Sequence, residues 1–352
     1  MSWTGPQNRL NLSRNAWQSL RRVYADQFSS ISWKVKAGYG FMSRYLSLLE
    51  KRESPALKMP PVFIVGHWRS GTTFLHELLV SDPQFSYPST YACMNPQHFV
   101  MTERGAEKLA GTVEVARPMD AMKISSASPQ EDEFALLCLG ARSPYEAVLF
   151  PQRLRRALEI GAVDALSPAE RETWKRLMLR FAGQVGSKAP DKTLLIKSPP
   201  HGWRVGVLRE MFPGARFIHI VRDPFDVAAS TRRMWQQLYG IYALTPPPYP
   251  DPLPEIAEFQ AQLLHETDRA IEGAPDACAV RFEDLMSAPH REIERIYATL
   301  KLGDYATVRP RFEAQLAKNA GHQKNVLKLS DDDRALIRRF NGAAIEKYRY
   351  SS

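Results

Sequence analysis

One short stretch limits the fold of this chain more than any other. Residues 62–66, VFIVG, form a brief apolar run that ends in glycine. Residues 72–81, TTFLHELLVS, place apolar side chains at helical spacing before Asp82-Pro83. The run predicts a buried parallel strand, and the spacing predicts a helix that stops at the proline. A glycine-containing loop, GHWRSGTT, therefore joins a strand to a helix.

The same alternation returns further along the chain. Strands are predicted for TLLIKS (193–198), RFIHIV (216–221) and ACAVRF (277–282). Helices are predicted after each of them: one ending at Pro213-Gly214, one beginning near Asp223-Pro224, and one over 283–300. Alternating strands and helices indicate an α/β fold, in which a central parallel sheet is flanked by helices on both faces. Functional side chains are then expected at the carboxyl ends of the strands.

The chain is expected to divide near residue 58. Residues 1–58 are predicted to be helical and amphipathic, with aromatic side chains among basic ones. We expect them to form an N-terminal extension packed on the α/β domain of residues 59–352. Their amphipathic face fits either such a helical cap or a contact with a membrane surface.

Three further signals concern local structure. Ser128-Pro129-Gln130-Glu131 and Ser167-Pro168-Ala169-Glu170 each predict a helix start, as capping boxes with proline at the first helical position. The proline-rich stretch TPPPYPDPLP, residues 245–254, predicts a stiff loop without regular structure.

The first loop has the outline of a phosphate-binding loop without its lysine. Gly66, Gly71 and Thr73 match the P-loop pattern, yet Thr72 stands where lysine is expected. Backbone N–H groups and the positive end of the following helix still favour an anion there. Arg69 adds a cation whose fork suits an oxyanion. We therefore expect a P-loop-like site for a phosphate-like group.

The strand ends near this loop do not offer a magnesium ligand. Enzymes that use ATP hold magnesium through a loop hydroxyl and an acid that ends a neighbouring strand. Here the second strand ends in Lys197-Ser198 and the third in Arg222. We predict a nucleotide that is bound without a metal, its charge offset by arginine and lysine.

Two of these motifs together resemble those of the sulfotransferases. HWRSGTTFL (67–75) looks like the 5′-phosphosulfate loop of that family, and FIHIVRDPFDVAAS (217–230) resembles its 3′-phosphate element. RFEDLMSAP (281–289) is similar to a later strand–helix junction, and GHQKNVLKL (321–329) to the segment that closes over the cofactor. Arginine in the loop, where many members carry lysine, is similar to bacterial-type members.

The resemblance implies a donor, a product and a set of binding residues. The donor is 3′-phosphoadenosine 5′-phosphosulfate (PAPS), the product is 3′-phosphoadenosine 5′-phosphate (PAP), and a hydroxyl or amine accepts the sulfuryl group by in-line transfer without metal. The implied cofactor-binding residues are Arg69, Ser70, Gly71, Thr72, Thr73, Phe74, Arg222, Ser230 and Lys324. Arg69 would stabilise charge on the leaving oxygen, and Lys197 is a second candidate for that role.

The acceptor needs a general base, and two candidates remain open. His201 lies just past a strand end in KSPPH, which resembles the Lys-Thr-His turn of cytosolic sulfotransferases, displaced by two places. Glu131 opens the acidic run QEDEF, where crowded carboxylates favour a raised pKa. Glu131 could instead serve only to complete its predicted capping box.

Composition restricts the partners. The net charge is +9, but the basic residues are scattered in pairs, which makes nucleic acid the least favoured partner. Three distant cysteines and the lack of an apolar segment in the first thirty residues suggest a cytoplasmic protein without a signal peptide. No window is apolar enough to span a membrane. The sequence does not indicate an oligomeric state.

The acceptor itself is only loosely indicated. A hydrophobic alcohol is favoured over a sugar because the following side chains, with the proline-rich stretch, could line an apolar pocket: Met94, Met119, Met122, Phe134, Tyr145 and Phe150. A P-loop kinase that uses ATP and magnesium is one alternative function. A catalytically silent binding protein of the same fold is another.

Overall fold

A parallel sheet forms around the apolar run that opens the α/β region. The strands are β1 (Val62–Val65), β2 (Phe85–Ser86), β3 (Val115–Ala116), β4 (Lys123–Ile124), β5 (Thr193–Lys197), β6 (Arg216–Val221) and β7 (Ala277–Arg281). The order β2-β5-β1-β6-β7 makes a five-stranded sheet whose neighbours are all parallel. β3 and β4 pair separately and antiparallel. The predicted parallel sheet is confirmed, with β1 at its centre.

The computed structural model describes residues 5–110, 115–116, 123–319 and 328–350. It separates the chain into two units. The first unit comprises residues 1–56, 88–188 and 233–252, and the second comprises residues 57–87, 189–232 and 253–352. All five strands of the parallel sheet belong to the second unit. The division of the chain near residue 58 stays a prediction.

The described residues also form α-helices. In chain order they are α1 (Arg14–Val23), α2 (Trp33–Leu48), α3 (Thr72–Leu79), α4 (Thr90–Met94), α5 (Phe99–Ala110), α6 (Asp132–Leu139), α7 (Glu146–Leu149), α8 (Leu154–Glu159), α9 (Pro168–Gly186), α10 (Val205–Met211), α11 (Pro224–Tyr242), α12 (Leu253–Ile271), α13 (Phe282–Ser287), α14 (Pro289–Leu300), α15 (Tyr305–Asn319) and α16 (Asp331–Lys347). Short 3₁₀ turns lie at Phe28–Ser30, Pro151–Arg153, Val163–Ala165 and Pro199–Arg204. The predicted helical character of the N-terminal region is confirmed by α1 and α2.

Both faces of the sheet are covered within the second unit. On one face, Val62 and Ile64 of β1 pack in a cluster with Leu75 of α3 and Ile293 of α14. On the other face, the Phe63 ring lies 5.7 Å from that of Phe212, which follows α10. Apolar side chains on both sides explain why β1 is a continuous apolar run rather than an alternating one. The predicted α/β class, with helices on both faces, is confirmed.

One predicted helix start is confirmed and one is wrong. Ser167 and Glu170 form the expected capping box of α9. Around Ser128, however, residues 128–130 pair with residues 88–90 through backbone hydrogen bonds, including Thr90 N–H to Ser128 O. That pairing holds the chain extended. The prediction placed Pro129 at the first helical position, but α6 begins three residues later, at Asp132. Glu131 is consequently the residue before the helix and does not complete a capping box.

Other local predictions need smaller corrections. The helix predicted over 283–300 is two helices, α13 and α14, because Ala288 leaves the helical conformation before Pro289. The proline-rich stretch lacks regular structure up to Pro252, and its last two residues, Leu253 and Pro254, already belong to α12. The strands β2, β3 and β4 were not predicted, since two residues give too little pattern to detect.

Candidate active site

The loop between β1 and α3 makes a tight turn that two glycines permit. Gly66 has φ +152° and Gly71 has φ +99°, both in the region that favours glycine. A Cβ on Gly66 would lie 2.4 Å from the Ile220 carbonyl oxygen, and one on Gly71 would lie 2.3 Å from the Phe282 ring. The loop therefore passes close to β6 and to the residue after β7, and α3 begins directly behind it at Thr72.

Arg69, at the tip of this loop, contacts two residues that follow β6. Its backbone is in the left-handed region, with φ +66°. The Arg69 Nε donates to Ser230 Oγ at 2.9 Å, and the Arg69 carbonyl accepts from Arg222 Nη1 at 3.2 Å. Three residues predicted from two motifs thus meet at one place, near the end of β6 and the first turns of α11.

Arg222 is held on three sides. Its Nη2 donates to Asp226 at 3.1 Å, and its guanidinium lies 4.6 Å from the centre of the Phe282 ring. Its buried Nε has no hydrogen-bond partner among the residues that the structure describes. A buried donor without a partner is costly, so an acceptor from a ligand fits this position.

Lys197 brings a second cation to the loop from β5. Its side chain is buried, and its Nζ donates to Thr73 Oγ1 at 3.3 Å. Thr72 is buried in the first turn of α3, and Ser70 Oγ donates to the His67 carbonyl at 2.8 Å. The hydroxyls and both cations predicted for the loop thus occur together in the second unit.

Phe74 packs edge-on against Phe282, with ring centres 6.4 Å apart. Phe282 was not predicted as a site residue, although it contacts the Gly71, Phe74 and Arg222 positions. It ends an apolar run, ACAVRF, and sequence alone does not show that this ring reaches a loop more than 200 residues earlier. Its only sequence signal is its place at the carboxyl end of a predicted strand.

Two more anchors of the loop were not predicted. Thr231 Oγ1 donates to the Trp68 carbonyl at 3.2 Å, next to the Arg69–Ser230 contact. His67 is fully buried, with its Nδ1 2.9 Å from the same carbonyl, and burial lowers the pKa of His67 to about 4. A neutral His67 therefore donates from Nδ1 and helps to fix the turn.

Glu131 lies in the first unit, beside aromatic side chains. Its carboxylate accepts a hydrogen bond from the Tyr145 hydroxyl. The Tyr145 ring in turn packs 4.7 Å from that of Phe134. The next two acids, Asp132 and Glu133, are fully buried at the start of α6. Glu131 is thus the half-buried acid of the three, and the Tyr145 hydroxyl holds its carboxylate.

His201 lies in the second unit, in the turn after β5. Its side chain is fully buried, and its ring meets that of Phe63 edge-on at 5.7 Å. Phe63 also stacks on Phe217, so this histidine borders an aromatic part of the core. Its position past a strand end is as expected, and its ring is buried against Phe63.

Some predicted residues do not line a site or fall outside the description. Phe150 is fully buried and stacks on Tyr24 at 4.3 Å, which makes it a core residue. Met94 is half-buried at the end of α4. Lys324, Met119 and Met122 lie outside the residues that the structure describes.

The arrangement at the loop suits a strongly anionic ligand. Arg69, Lys197 and Arg222 supply cations at the carboxyl ends of neighbouring strands or at the loop that follows one. Within the described ranges, no group of three or more His, Cys, Asp or Glu side chains is placed to hold a metal ion. The helices of these ranges are all too short or too polar to cross a bilayer.

Comparisons with known proteins point in one direction. A sequence model for a family described as the sulfotransferase family matches residues 60–306. Two curated omega-hydroxy-beta-dihydromenaquinone-9 sulfotransferases, from Mycobacterium bovis and Mycobacterium tuberculosis, are each 39% identical over 349 residues. The match covers 96% of this chain and 89% of each relative.

Solved structures share the fold at lower identity. A sulfotransferase from Mycobacterium avium superposes with a TM-score of 0.61 at 16% identity, over 96% of this chain and 92% of that one. Another, from Mycobacterium tuberculosis H37Rv, gives a TM-score of 0.60 at 18% identity, over 94% and 92%. These similarities agree with the P-loop-like α/β fold.

Proposed function

This chain belongs to the sulfotransferase family, and from that premise we propose that it moves a sulfuryl group from PAPS to a hydroxyl of a hydrophobic acceptor. The transfer is in-line and needs no metal. The observation that carries the donor assignment is the meeting of Arg69, Arg222 and Ser230 beside the glycine loop. These residues come from the two motifs that the two anionic ends of PAPS require.

The two ends of the donor have separate partners in this proposal. The glycine loop, with Ser70, Thr72 and Thr73, holds the phosphosulfate through N–H and hydroxyl donors. Arg222 and Ser230 hold the 3′-phosphate, and this role is supported by the Arg222 Nε, which no described residue accepts from. Phe74 and Phe282 offer ring surfaces for the adenine, and Lys324 is the proposed contact from the C-terminal segment.

The cations stabilise the charge that develops during transfer. PAPS supplies an activated sulfuryl group whose leaving group is a phosphate oxygen. Arg69 is a cationic hydrogen-bond donor, so it acts through its charge and its hydrogen bonds. Lys197 holds Thr73 and provides a second positive charge at the end of β5. Either residue can face the bridging oxygen, and the other then supports the loop.

Glu131 is the preferred general base. A base must reach the acceptor hydroxyl with an oxygen or nitrogen that can accept its proton. The Glu131 side chain is not used for a helix cap, and Tyr145 fixes its position. His201 is the less favoured candidate, because its ring is buried against Phe63.

A hydroxylated, lipid-like molecule is the proposed acceptor. The relatives are named for a hydroxylated menaquinone derivative, and menaquinones are hydrophobic quinones. Phe134 and Tyr145 place aromatic surface beside Glu131. An apolar wall beside the base favours such an acceptor over a sugar.

The proposal includes a setting for the enzyme. We place it in the cytoplasm, with a peripheral contact between its N-terminal helices and a membrane surface that supplies a poorly soluble acceptor. Nucleic acid is not a proposed partner. The kinase alternative is not favoured, since the family and the relatives at 39% identity are sulfotransferases. Only a measurement of turnover distinguishes the enzyme from a catalytically silent binding protein of the same fold.

A calorimetric titration tests the donor site. PAP is titrated into the protein in EDTA, beside ATP with magnesium. We expect PAP to bind without metal and to bind at least about 30-fold more weakly to Arg222→Ala, because truncating one partner of a buried charged pair costs about 2–5 kcal/mol. Arg269→Ala removes an exposed arginine of the same unit and is the matched control. Tight binding of ATP with magnesium and none of PAP would refute the donor assignment.

A transfer assay tests the acceptor class. Sulfur-labelled PAPS is incubated with long-chain primary alcohols in detergent and, separately, with sugars of similar hydroxyl concentration. We expect label in the alcohols. Label in the sugars alone would leave the enzyme a sulfotransferase but reject a hydrophobic acceptor.

A further inference from the structure

The helix α2 exposes large apolar side chains to solvent. Trp33 and Phe41 are each 72% exposed and Leu48 is 85% exposed, far more than such side chains usually are in a globular protein. Tyr45 is 51% exposed. With Ala37, these residues follow one another at intervals of three or four, so they share one side of the helix. We call Trp33, Phe41, Tyr45 and Leu48 the outer face of α2.

The opposite side of α2 already makes its packing contacts. Val35, Tyr39 and Leu46 are buried. The Tyr39 ring stacks on Trp17 of α1 with ring centres 4.9 Å apart and an interplanar angle of 12°. One apolar side of α2 therefore packs within the first unit. The described part of that unit does not cover the second apolar side. A contiguous patch of this kind marks an interaction surface.

The segment that carries the outer face has charges of one sign. From residue 27 to residue 49 the sequence contains no Asp or Glu, but it contains Lys34, Lys36 and Arg44. The exposed cations of α1 and α2 are Arg14, Arg21, Arg22, Lys34 and Arg44. An apolar face among cations complements a surface that is apolar within and anionic at its edge.

We propose that the outer face of α2 docks on a lipid bilayer that contains anionic lipids, with the helix lying in the plane of the interface. Trp33 and Tyr45 have rings suited to the headgroup level, while Phe41 and Leu48 reach the acyl boundary. Lys34 and Arg44 lie among them and attract anionic headgroups. A second copy of the chain on this face would instead bring the same cations together.

The biological role of this contact rests on the proposed function. A bilayer would supply the enzyme with its lipid-like acceptor. Vesicle binding itself requires neither PAPS nor acceptor. Loss of vesicle binding and loss of sulfuryl transfer are therefore separate results.

Sedimentation with vesicles tests the docking face. The full chain is mixed with phosphatidylcholine vesicles, with or without 30% phosphatidylglycerol (roughly the anionic fraction that gives a strong surface potential). The test variant is Phe41→Glu/Leu48→Glu. The matched control is Met59→Glu/Met286→Glu, which makes the same charge change at two exposed methionines of the second unit.

We expect the wild type and the control to bind the anionic vesicles, and the test variant to bind at least about tenfold more weakly. PAP affinity is expected to be equal in all three, which shows that the variants are folded. The proposal is overturned if the wild type does not sediment with anionic vesicles, or if the test variant sediments as well as the control. It is also overturned if light scattering shows a wild-type dimer that only the test variant dissociates, because the face would then join two copies of the chain.

Discussion

The Glu131 carboxylate is positioned by a side chain from beyond its own helix. It lies just before α6, and the Tyr145 hydroxyl donates to it from the start of α7. The Phe134 ring supports the Tyr145 ring. A group that is to receive a proton needs a fixed position more than it needs strong basicity, because the transfer depends on hydrogen-bond geometry.

Replacing Glu131 by glutamine is the first prediction at this scale. Glu131→Gln keeps the size of the side chain and removes the proton acceptor. We expect kcat to fall about 100- to 10,000-fold, the usual contribution of a general base, with PAP affinity unchanged. Steady-state rates with a labelled donor, and PAP calorimetry, measure the two quantities.

His201→Gln provides the comparison. If His201 is only a core residue, this variant lowers the melting temperature more than it lowers kcat. A large loss of kcat in His201→Gln at an unchanged melting temperature, with Glu131→Gln still active, would transfer the role of base to His201.

The buried His67 makes stability depend on pH. Its pKa is lowered from 6.5 to about 4 by burial, so between these values the unfolded chain binds a proton that the folded chain does not. Stability from this group is complete above pH 6.5 and is lost as the pH falls towards 4. The loss between pH 7 and pH 5 is about 2 kcal/mol.

Urea unfolding at these two pH values tests that dependence. His67→Asn retains an N–H donor near the Trp68 carbonyl but does not titrate. We expect the wild type to lose about 2 kcal/mol more than His67→Asn on going from pH 7 to pH 5. Equal losses in both proteins would show that another group accounts for the acid sensitivity.

Single residues could be predicted from the sequence where they belong to a recognisable binding motif. Arg222 and Ser230 occur in one motif, and the structure brings both to Arg69. Phe282 could not be predicted in this way, because only the fold brings its ring to Gly71. The roles of Arg69, Arg222 and Ser230 in binding and catalysis stay predictions.

At the scale of elements, α16 is fastened to α12 by a buried amide. Asn341 Nδ2 donates to the Ala257 carbonyl at 2.9 Å, and both residues are buried. Further along, Lys347 Nζ lies 2.9 Å from Asp268 of α12. The Asn341 bond is the one that water cannot replace, because it is shielded within the contact of the two helices.

Asn341→Ala tests that fastening. It removes the buried hydrogen bond that joins α16 to α12, and we expect a loss of about 1 kcal/mol in the free energy of unfolding. Asn8→Ala, at an exposed asparagine, is expected to change it by less than about 0.5 kcal/mol. The midpoints of urea unfolding measure both, and equal midpoints would show that the amide does not hold α16.

Elements were predictable in proportion to their length and pattern. The runs that became β1, β5, β6 and β7 each contain three or four apolar residues within four to six positions, so the sequence located each of them. The helix start predicted at Ser128 was wrong because pairing of residues 128–130 with 88–90 outweighs the local capping signal. Pairing between distant segments is absent from any local window.

For the whole molecule, the positive charge has a consequence for the donor. The net charge is +9, and PAPS is a polyanion, so association is expected to be fast at low salt and slower at high salt. Cations of the chain, rather than a bound metal ion, are proposed to offset the donor's charge.

Removal of metal tests this proposal. Turnover in EDTA is expected to match turnover in magnesium within about twofold, because no step of the proposed transfer depends on a Lewis acid. Rates are measured after dialysis against the chelator. A loss in EDTA that magnesium restores would contradict the prediction and reopen a metal-dependent reaction.

The central place of β1 in the sheet also affects how the chain is made. Its neighbours β5 and β6 leave the ribosome much later, since β5 begins about 130 residues after β1. At synthesis rates of about 5–20 residues per second, the apolar segment VFIV waits roughly 7–26 s with both edges unpaired. An unpaired apolar strand invites pairing with other nascent chains. We therefore expect recombinant production to benefit from low temperature and ample chaperone capacity.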